Sequence, residues 1–285
     1  MYNLTLTNKQ GNSLVFNSMG GPFTITEIQG LNPPNASINT NSVALLDGGL
    51  YNSAKLEMRT INLAFAIEYN AEANRMEIYK VLHAKKYIKL NYKSEYRDVY
   101  IEGYIQSIDI TYFEMKQICT VSILCPEPYL KSAEEVIDEL SAIINGFHFP
   151  FGSTEAGEVL FGYIDATQGV VIENKGYVET GLTFVLFAKD EIVNPKIINT
   201  DTQEYIELNF TMQAQDTITI TTSRGNKTVT LLRNGVLSSI FNSFTQNSTW
   251  LQLELGNNHF VYTDTSGDLE DLTIQISHND LFEGV

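Results

Sequence analysis

From about residue 158 to its end, the chain is a succession of short segments rich in β-branched and aromatic residues. Turn residues separate these segments at intervals of roughly 8–12 residues, which is typical of a β-sandwich. Asn234-Gly235 predicts a two-residue hairpin turn, and Arg224-Gly225-Asn226 predicts a second hairpin loop. The segments do not recur at a fixed period, which argues against a solenoid or a propeller. The second half of the chain is therefore predicted to be an all-β module.

The first half mixes strands with a helix. Asn70 is predicted to cap a helix over residues 71–86, which would have Lys85 and Lys86 in its last turn. Gly103 is interpreted as a β-bulge inside a long strand. The strands that the apolar alternation predicts around this helix are Leu56–Ile67, Ile88–Tyr92, Asp98–Tyr112 and Ile118–Cys125, the last two forming a long hairpin.

Two prolines end the last of these strands. Pro126 and Pro128 cannot donate a ladder hydrogen bond, so the strand must stop there. Ser132 and Glu135 then form a capping box, and an apolar stripe follows at helical spacing, which predicts a helix to Ile144 that packs on the first module. The domain boundaries are accordingly predicted at 1–147 and 148–285.

A long polar connection runs from Gly30 to about residue 47. A structureless loop of this length is uncommon in a compact domain. The segment is either a functional extended arm or a hairpin whose strands the sequence does not reveal.

The chain is strongly acidic, with a net charge of −16. Residues 1–147 hold 12 basic and 16 acidic side chains, and residues 148–285 hold 6 and 18. Such a surface repels phosphate, which argues against sequence-specific nucleic-acid binding. Lys80, Lys85 and Lys86, with Lys89 and Lys93 nearby, form a local basic concentration. These lysines are either a contact surface for an acidic neighbour, such as another copy of the chain, or a solvated helix face.

Motifs that carry chemistry are missing from the sequence. The four histidines have no metal-binding spacing, and there is no nucleophile elbow or phosphate-binding loop. Cys119 and Cys125 share one predicted strand, where they would lie roughly 20 Å apart at about 3.3 Å per residue, so they are expected to be inert core thiols rather than a disulfide. We expect no enzyme activity, no cofactor and no catalytic residue.

Two further features each allow more than one interpretation. The acidic run Asp264–Asp271 is either a hairpin turn around Ser266-Gly267 or a calcium site, although its spacing is not that of an EF-hand. Trp250 either packs in the core of the second module or forms a sugar-stacking platform.

The sequence also indicates where in the cell the protein is made. Its start lacks the basic and apolar regions of a signal peptide, and no apolar run approaches 18 residues. We expect synthesis in the cytoplasm and no membrane insertion.

Taken in order, a set of short segments resembles the distal tail proteins of siphophages, the baseplate hubs of long-tailed, non-contractile phages. The matching segments are Phe23–Leu31 with Pro33 and Pro34; Asp47 and Gly48; Arg59–Leu63; Tyr100–Tyr104 with Ile105 and Ile108; Phe113; Cys125–Tyr129; Phe149–Phe151; Ile172–Gly176; Asn194–Asn199; Trp250–Gly256 with Asn257; and Phe282–Val285.

This resemblance implies a mainly β fold, in which an N-terminal β-sandwich or split barrel with a helix and a long hairpin precedes a C-terminal galectin-like β-sandwich. It implies that the N-terminal modules of six copies close into a ring at the distal end of a phage or prophage tail. The ring would join the major tail tube protein to the tail-associated hub protein, and it would enclose a lumen for DNA that we expect to be acidic. The C-terminal modules would project outward or carry receptor-binding proteins or side fibres. The alternative is a carbohydrate-binding protein that recognises host cell-surface sugars through Trp250.

Overall fold

The computed structural model describes residues 2–17, 20–42, 44, 47–140, 143–144, 163–164, 169–265 and 271–285. The chain divides into a first unit, Met1–Glu134 with Leu281–Val285, and a second unit, Glu135–Asp280. The last five residues therefore return to the first unit. The domain boundary predicted after residue 147 lies outside the described residues and stays a prediction.

The first unit is built on one curled antiparallel sheet with a single described α-helix, α1. Its hydrogen-bonded order is β2-β1-β7-β8-β9-β6-β3, and a short strand, β10, pairs with both β8 and β27. The elements are β1 Asn3–Asn8, β2 Ser13–Asn17, β3 Phe23–Gln29, β4 Ala36–Asn41, β5 Leu50–Leu56, β6 Arg59–Ile67, α1 Ala71–Val81, β7 Tyr87–Lys93, β8 Asp98–Ile110, β9 Gln117–Cys125, β10 Leu130–Ser132 and β27 Leu281–Phe282.

A cluster of phenyl rings explains the curl of this sheet. Phe16 on β2 and Phe23 on β3 lie at opposite ends of the strand order, yet their ring centroids are only 6.0 Å apart. Both rings contact Phe65 on β6, at 4.8 and 5.6 Å. No pairing between described residues joins β2 to β3, so the barrel stays open, which agrees with the predicted split barrel.

The helix is shorter than its predicted span. It ends at Val81, because Leu82 turns to extended backbone while its N–H still bonds to the carbonyl of Ile78. Lys85, with φ of 67°, lies in the turn that follows, so the prediction that Lys85 and Lys86 occupy the last helical turn is wrong. Asn70 is the residue before the helix, but its side chain makes no capping hydrogen bond, so the predicted cap is wrong.

Gly103 is needed for close approach rather than for a bulge. A Cβ at this position would lie 2.7 Å from the carbonyl oxygen of Leu124 and 2.9 Å from Cys125 Sγ on β9. The register shift of β8 falls later, between Ile105 and Ser107. The prediction of a β-bulge at Gly103 is therefore wrong, and the irregularity lies a few residues later on the same strand.

The second unit consists of a six-stranded sheet, a four-stranded sheet and short strand pairs. The orders of the two larger sheets are β11-β26-β16-β21-β22-β23 and β14-β25-β18-β19. The strands are β11 Val136–Leu140, β12 Ile143–Ile144, β13 Tyr163–Ile164, β14 Val170–Asn174, β15 Thr180–Gly181, β16 Thr183–Ala188, β17 Ile192–Val193, β18 Lys196–Asn199, β19 Tyr205–Glu207, β20 Thr211–Met212, β21 Thr217–Thr221, β22 Thr228–Arg233, β23 Val236–Ser239, β24 Gln252–Leu253, β25 Gly256–Thr263 and β26 Leu272–His278, with a 3₁₀ turn at Phe241–Ser243.

The two larger sheets share a core. Phe184 on β16 and Phe260 on β25 are both buried and meet edge to face at 6.1 Å. The hairpin predicted at Asn234-Gly235 joins β22 to β23, and both residues have the positive φ, 51° and 76°, that a type I′ turn requires. These observations confirm the mainly β class predicted for the chain.

The helix predicted from Ser132 to Ile144 is wrong. Val136–Leu140 is instead an edge strand paired with β26, from Val136 opposite His278 to Leu140 opposite Ile274. Leu140 is buried while Ile137 is 56% exposed, an arrangement of period two that no helical stripe would give. Ser132 Oγ bonds to the carbonyl of Glu134 rather than capping a helix. Pairing with a distant strand has overridden a local helix signal.

An ion pair between Arg233 and a buried carboxylate fastens the β21–β22 hairpin. Arg233 donates through Nε and Nη2 to the carboxylate of Asp216, at 2.9 and 2.5 Å, and the backbone N–H of Gln213 donates to the same group at 2.8 Å. The Asp216 side chain is only 2% exposed. Hydrogen bonding from Arg233 holds the pKa of Asp216 below its ordinary value.

We expect Asp216→Asn to lower the free energy of unfolding of the second unit by about 2 kcal/mol at neutral pH. Because the folded-state pKa is depressed, this contribution is complete above the ordinary value of 3.8 and is lost as pH falls through the lower folded pKa. Urea unfolding between pH 7 and 3 should show the difference between wild type and variant shrinking at the acid end. Asp201→Asn, which removes an exposed carboxylate that contacts His259, should change little. A difference that stays constant with pH would contradict this assignment.

Candidate assembly surfaces

The polar connection after Gly30 is a β-hairpin made by β4 and β5. It forms its own two-stranded sheet and has no hydrogen-bonded pairing with any other described strand. Nearly every residue on it is exposed, including Ile38 at 62%, Leu50 at 54% and Tyr51 at 67%. Of the two interpretations of this segment, the structure supports the hairpin, and its exposure also gives it the character of an arm.

Such a hairpin needs a partner surface that buries one of its faces. An isolated two-stranded sheet is marginally stable in water, because neither face is buried. Opposite residues in the register share a face, so Ile38 with Ala54 and Ala36 with Leu56 form an apolar strip. Between residues 36 and 56 the sequence has only Asp47 and Lys55 as charged residues, which offset one another. The hairpin thus has no net charge, and it exposes this apolar strip among polar residues on an acidic chain.

The predicted basic residues lie beside the end of α1. The side chain of Asn8 donates to the carbonyls of Lys80 and Val81, at 3.2 and 3.3 Å, and so holds the β1–β2 turn against the helix end. That turn contributes Lys9, which sequence reasoning missed because the contact is made only by the tertiary fold. We call Lys9, Lys85 and Lys86 the basic corner.

The members of this cluster differ in their pairing. Lys80 is bound to Glu77 on the same helix at 2.6 Å. Lys85 and Lys86 are exposed, and in the part of the chain that the structure describes no carboxylate lies within 4.0 Å of either. Two of the three predicted interface lysines are therefore available to an acidic partner, whereas Lys80 is already neutralised.

The hairpin of β8 and β9 ends in an aromatic tip, residues 111–116, which we call the β8–β9 tip. The hydroxyls of Tyr112 and Tyr79 are 2.7 Å apart, and the guanidinium of Arg75 lies 5.3 Å from the centroid of the Tyr112 ring. Phe113 and Met115 are fully exposed, at 103% and 109%. The tip is therefore tied to α1 at its base and presents apolar side chains at its end.

The C-terminal residues are bound inside the first unit by Arg59. This side chain is only 3% exposed, and it donates to four main-chain carbonyls, those of Gly30, Asn32, Pro128 and Glu283, at 2.6 to 2.9 Å. We call this arrangement the C-terminal clamp. Four segments that the sequence resemblance singled out separately meet at this one guanidinium.

Strand pairing and packing complete the clamp. Leu130 on β10 is opposite Phe282 on β27, and the guanidinium of Arg97 lies 4.2 Å from the centroid of the Phe282 ring. Gly30 has φ of 91°, and a Cβ there would lie 2.2 Å from the carbonyl oxygen of Thr60. The segment at Gly30 can thus approach β6 only as glycine.

In the second unit, two segments that resemble the distal tail proteins, Ile172–Gly176 and Trp250–Gly256, contain turns that buried Asn side chains stabilise. The buried Asn174 accepts from the N–H of Gly176 and donates to the carbonyl of Leu253, each at 2.8 to 3.0 Å. Asn258, also buried, accepts from the N–H of Glu254 and donates to the carbonyls of Glu254 and Gly256. These side-chain amides satisfy main-chain donors and acceptors, and none of their described hydrogen-bond partners is a charged or nucleophilic side chain.

Trp250 is half-buried at the edge of the second core. Its ring stacks on Phe244 at 4.3 Å and 10°, and on Phe241 at 5.7 Å and 27°. Lys227 lies 5.5 Å from the centroid of the indole ring. The stacked phenyl rings occupy area on the indole that a sugar would need, and the role of Trp250 as a sugar platform stays a prediction.

The remaining residues that the sequence singled out do not come together in one site within the described part of the chain. Cys119 and Cys125 are free and buried, and burial raises the pKa of each thiol to about 12. Among the described residues, no three His, Cys, Asp or Glu side chains gather as metal ligands would. The turn at Ser266-Gly267 and the segments Phe147–Gly152 and Phe149–Phe151 lie outside the described residues. The helix α1, like every described helix, is too short or too polar to cross a membrane.

Comparison with known proteins agrees with this architecture. Residues 175–277 match the family model described as siphovirus-type tail component, C-terminal domain. No curated protein sequence matches the chain.

Solved structures with a similar fold come from phages. One is described as the crystal structure of the SPP1 Dit protein, a paradigm of hub adsorption apparatus in Gram-positive infecting phages; it has a TM-score of 0.66 and 13% identity, covering 97% of this chain and 98% of that one. Two others are from the phage P2 baseplate in its activated conformation, with Ca and with Sr, with TM-scores of 0.55 and 0.56 at 15% identity. They cover 100% of this chain and 99% and 100% of theirs. Residues 175–277 thus match the siphovirus-type tail component C-terminal domain, and the chain has the fold seen in these phage hub and baseplate structures, which confirms its resemblance to the siphophage distal tail proteins.

Proposed function

We propose that the protein is a structural hub at the distal end of a siphophage tail, where copies of its first unit close into a sixfold ring. The observation that carries this proposal is the β4–β5 hairpin, an ordered two-stranded sheet exposed on both faces. A surface of this kind gains its stability from a neighbouring subunit. The match of residues 175–277 to a siphovirus-type tail component domain supports placing that neighbouring subunit in a phage tail.

A closed ring uses two different surfaces of each copy, since its interfaces are heterologous. The first unit offers at least three candidates: the hairpin, the basic corner and the β8–β9 tip. In our proposal the basic corner, Lys9 with Lys85 and Lys86, meets an acidic surface, and much of this chain is acidic at a net charge of −16. The same acidic balance suits a lumen through which DNA passes without binding.

Above and below, the ring would contact other tail proteins. We propose the major tail tube protein on one face and the tail-associated hub protein on the other, with receptor-binding proteins or side fibres attached through the second unit. The similarity to a protein described as a hub of the adsorption apparatus supports this arrangement. The assembled protein would be part of the virion.

We expect the double variant Ile38→Ser with Tyr51→Ser to raise the concentration needed for half assembly by at least about 100-fold, because each side chain buries apolar area worth roughly 1.5–2 kcal/mol. Light scattering after size exclusion would measure the shift, and negative-stain microscopy would show loss of rings with a central hole. The variant should keep the unfolding midpoint of wild type, since both side chains are exposed.

The matched control replaces two side chains of similar exposure in the second unit. Val236→Ser with Leu237→Ser, at 67% and 69% exposure on the edge strand β23, should assemble as wild type does. Equal weakening by both pairs would show a general loss of apolar surface rather than a ring contact. A wild-type protein that stays monomeric at every concentration would overturn the proposed ring.

A further inference from the structure

His278, the last residue of β26, is buried without a hydrogen bond. Its side chain is 0% exposed, and neither ring nitrogen has a hydrogen-bond partner among the described residues. A carboxylate lies close by, with Oδ1 of Asp280 at 3.5 Å from Nε2, but this oxygen already accepts the main-chain N–H of Lys175 at 3.0 Å. Buried polar groups in folded proteins are nearly always hydrogen-bonded, so this imidazole is unfavourable as it stands and would be more so with a charge.

The ring lies where the chain enters and leaves the second unit. This unit begins at Glu135 and ends at Asp280. Within it, Val136, the first residue of β11, pairs with His278, the last residue of β26. The two chain ends of the unit are therefore joined to each other directly beside the imidazole.

A third segment, residues 175–180, is fastened to the same place. Its first residue, Lys175, donates to Asp280 through its main-chain N–H, and its last, Thr180, donates through its hydroxyl to the carbonyl of Asn279 at 3.0 Å. Both acceptors belong to the two residues that follow His278. Any movement of the ring and its neighbours thus acts on β11 and on residues 175–180 together.

The charged groups around the ring come from three parts of the second unit. Asp280 follows β26, Asp138 lies on β11, and Glu173 on β14 faces the ring through its main chain. The side-chain carboxylate of Glu173 lies 3.6 Å from Nζ of Lys175. The residues of β16 that pair with β26 are all uncharged. Burial outweighs the attraction of the two aspartates and lowers the pKa of His278 below its ordinary value of 6.5.

We infer that His278 is a pH-sensitive latch, which holds the start of β11 and residues 175–180 closed while its ring is neutral and releases them when the ring is protonated. A neutral imidazole can occupy this dry position, whereas an imidazolium there lacks the water and the hydrogen bonds that its charge requires. Once the strand ends open, the ring reaches water and binds a proton near its ordinary pKa of 6.5. Acidification therefore favours the open state from pH 6.5 downwards, until the pH passes below the depressed pKa of the closed state. The latch belongs to a single chain and does not depend on the proposed ring of subunits.

Amide hydrogen exchange between about pH 7.5 and 5 measures this opening, after correction for the intrinsic pH dependence of exchange. Protection of β11 and of residues 175–180 should fall by about three- to tenfold between pH 7.5 and 5.5. The β21–β22 hairpin should keep its protection over this range, because the Asp216 carboxylate that it depends on titrates below 3.8.

Two substitutions of the histidine should abolish the pH dependence. His278→Gln keeps a polar side chain that does not titrate, and His278→Leu removes the polar atoms, so one variant serves if the other does not fold. The matched control is His259→Gln, which removes an exposed histidine of the same unit that also lies beside an aspartate, with Nδ1 at 2.9 Å from Asp201. This control should keep the pH dependence of wild type.

Asp280→Asn tests the direction of the effect. The asparagine can still accept the N–H of Lys175, but it removes the negative charge nearest to the ring, so the loss of protection should extend to lower pH than in wild type. Protection that does not change with pH, or that rises on acidification because His278 and Asp280 form an ion pair, would overturn the latch. A loss of protection that persists in both His278 variants would overturn it as well.

Discussion

Replacing Arg59 with methionine is expected to lower the free energy of unfolding of the first unit by about 4 kcal/mol. Methionine fills much of the volume, but the carbonyls of Gly30, Asn32, Pro128 and Glu283 lose a charged donor at a place that water reaches poorly. Because these carbonyls come from distant parts of the chain, the substitution should destabilise all the segments of the clamp together. Urea unfolding combined with amide hydrogen exchange in each unit would measure it.

The matched control is Arg224→Met. Arg224 pairs with Glu179 at an exposed position in the second unit, so its removal should cost less than about 1 kcal/mol. Arg59→Met would refute the clamp if it too cost less than about 1 kcal/mol, or if the second unit lost as much protection as the first.

Removing Leu281–Val285 is expected to destabilise the first unit by about 5 kcal/mol. Leu281 and Phe282 are buried, at 8% and 6% exposure, and they pair with β10, while Glu283 supplies one of the carbonyls bound by Arg59. Hydrogen exchange should accelerate at Leu130–Ser132 and around Gly30, where the tail packs. The β21–β22 hairpin, which belongs to the second unit, should keep its protection.

Glu283→Ala separates the main chain of the tail from its side chain. Arg59 binds the carbonyl of this residue, and the carboxylate of Glu283 adds only a charge interaction with Arg59, so the substitution should change the free energy of unfolding by less than about 1 kcal/mol. A truncated protein with the unfolding curve of wild type would show that the tail is dispensable for the first unit.

The clamp gives a physical reason for the order of motifs along the chain. Gly30, Arg59, Pro128 and Glu283 are far apart in sequence, and each alone is an ordinary residue of a turn, a strand start or a terminus. In the structure the carbonyls of Gly30, Pro128 and Glu283 surround the buried guanidinium of Arg59. These motifs thus hold the fold together, as Asn174 and Asn258 do in the second unit.

Elements with a strong local signal were predicted well. The strand that ends before Pro126, the hairpin at Asn234-Gly235 and the buried, unbridged cysteines are all found as expected. In each case the decisive property is local: a missing donor, a turn that requires positive φ, or the spacing of two residues on one strand. Exposed surfaces were harder, because a lysine in the helix and a lysine in the following turn look alike in sequence.

The prediction over 132–144 failed for the opposite reason. The capping box and the apolar spacing are compatible with a helix, but Val136–Leu140 gains more by pairing with β26, which lies more than a hundred residues later in the chain. Likewise, the hairpin of β4 and β5 has too little apolar alternation to be seen in sequence, because neither of its faces is buried.

By itself, the sequence determined that the protein is mainly β, acidic and without a recognisable catalytic motif, because composition, strand alternation and turn chemistry act locally. The tertiary structure alone decided which strands pair, that the C-terminal residues return to the first unit, and that Lys9 joins Lys85 and Lys86. It also decided which apolar residues remain exposed on the β4–β5 hairpin and the β8–β9 tip. These outcomes depend on contacts between residues far apart in the chain, whose energies no local pattern contains.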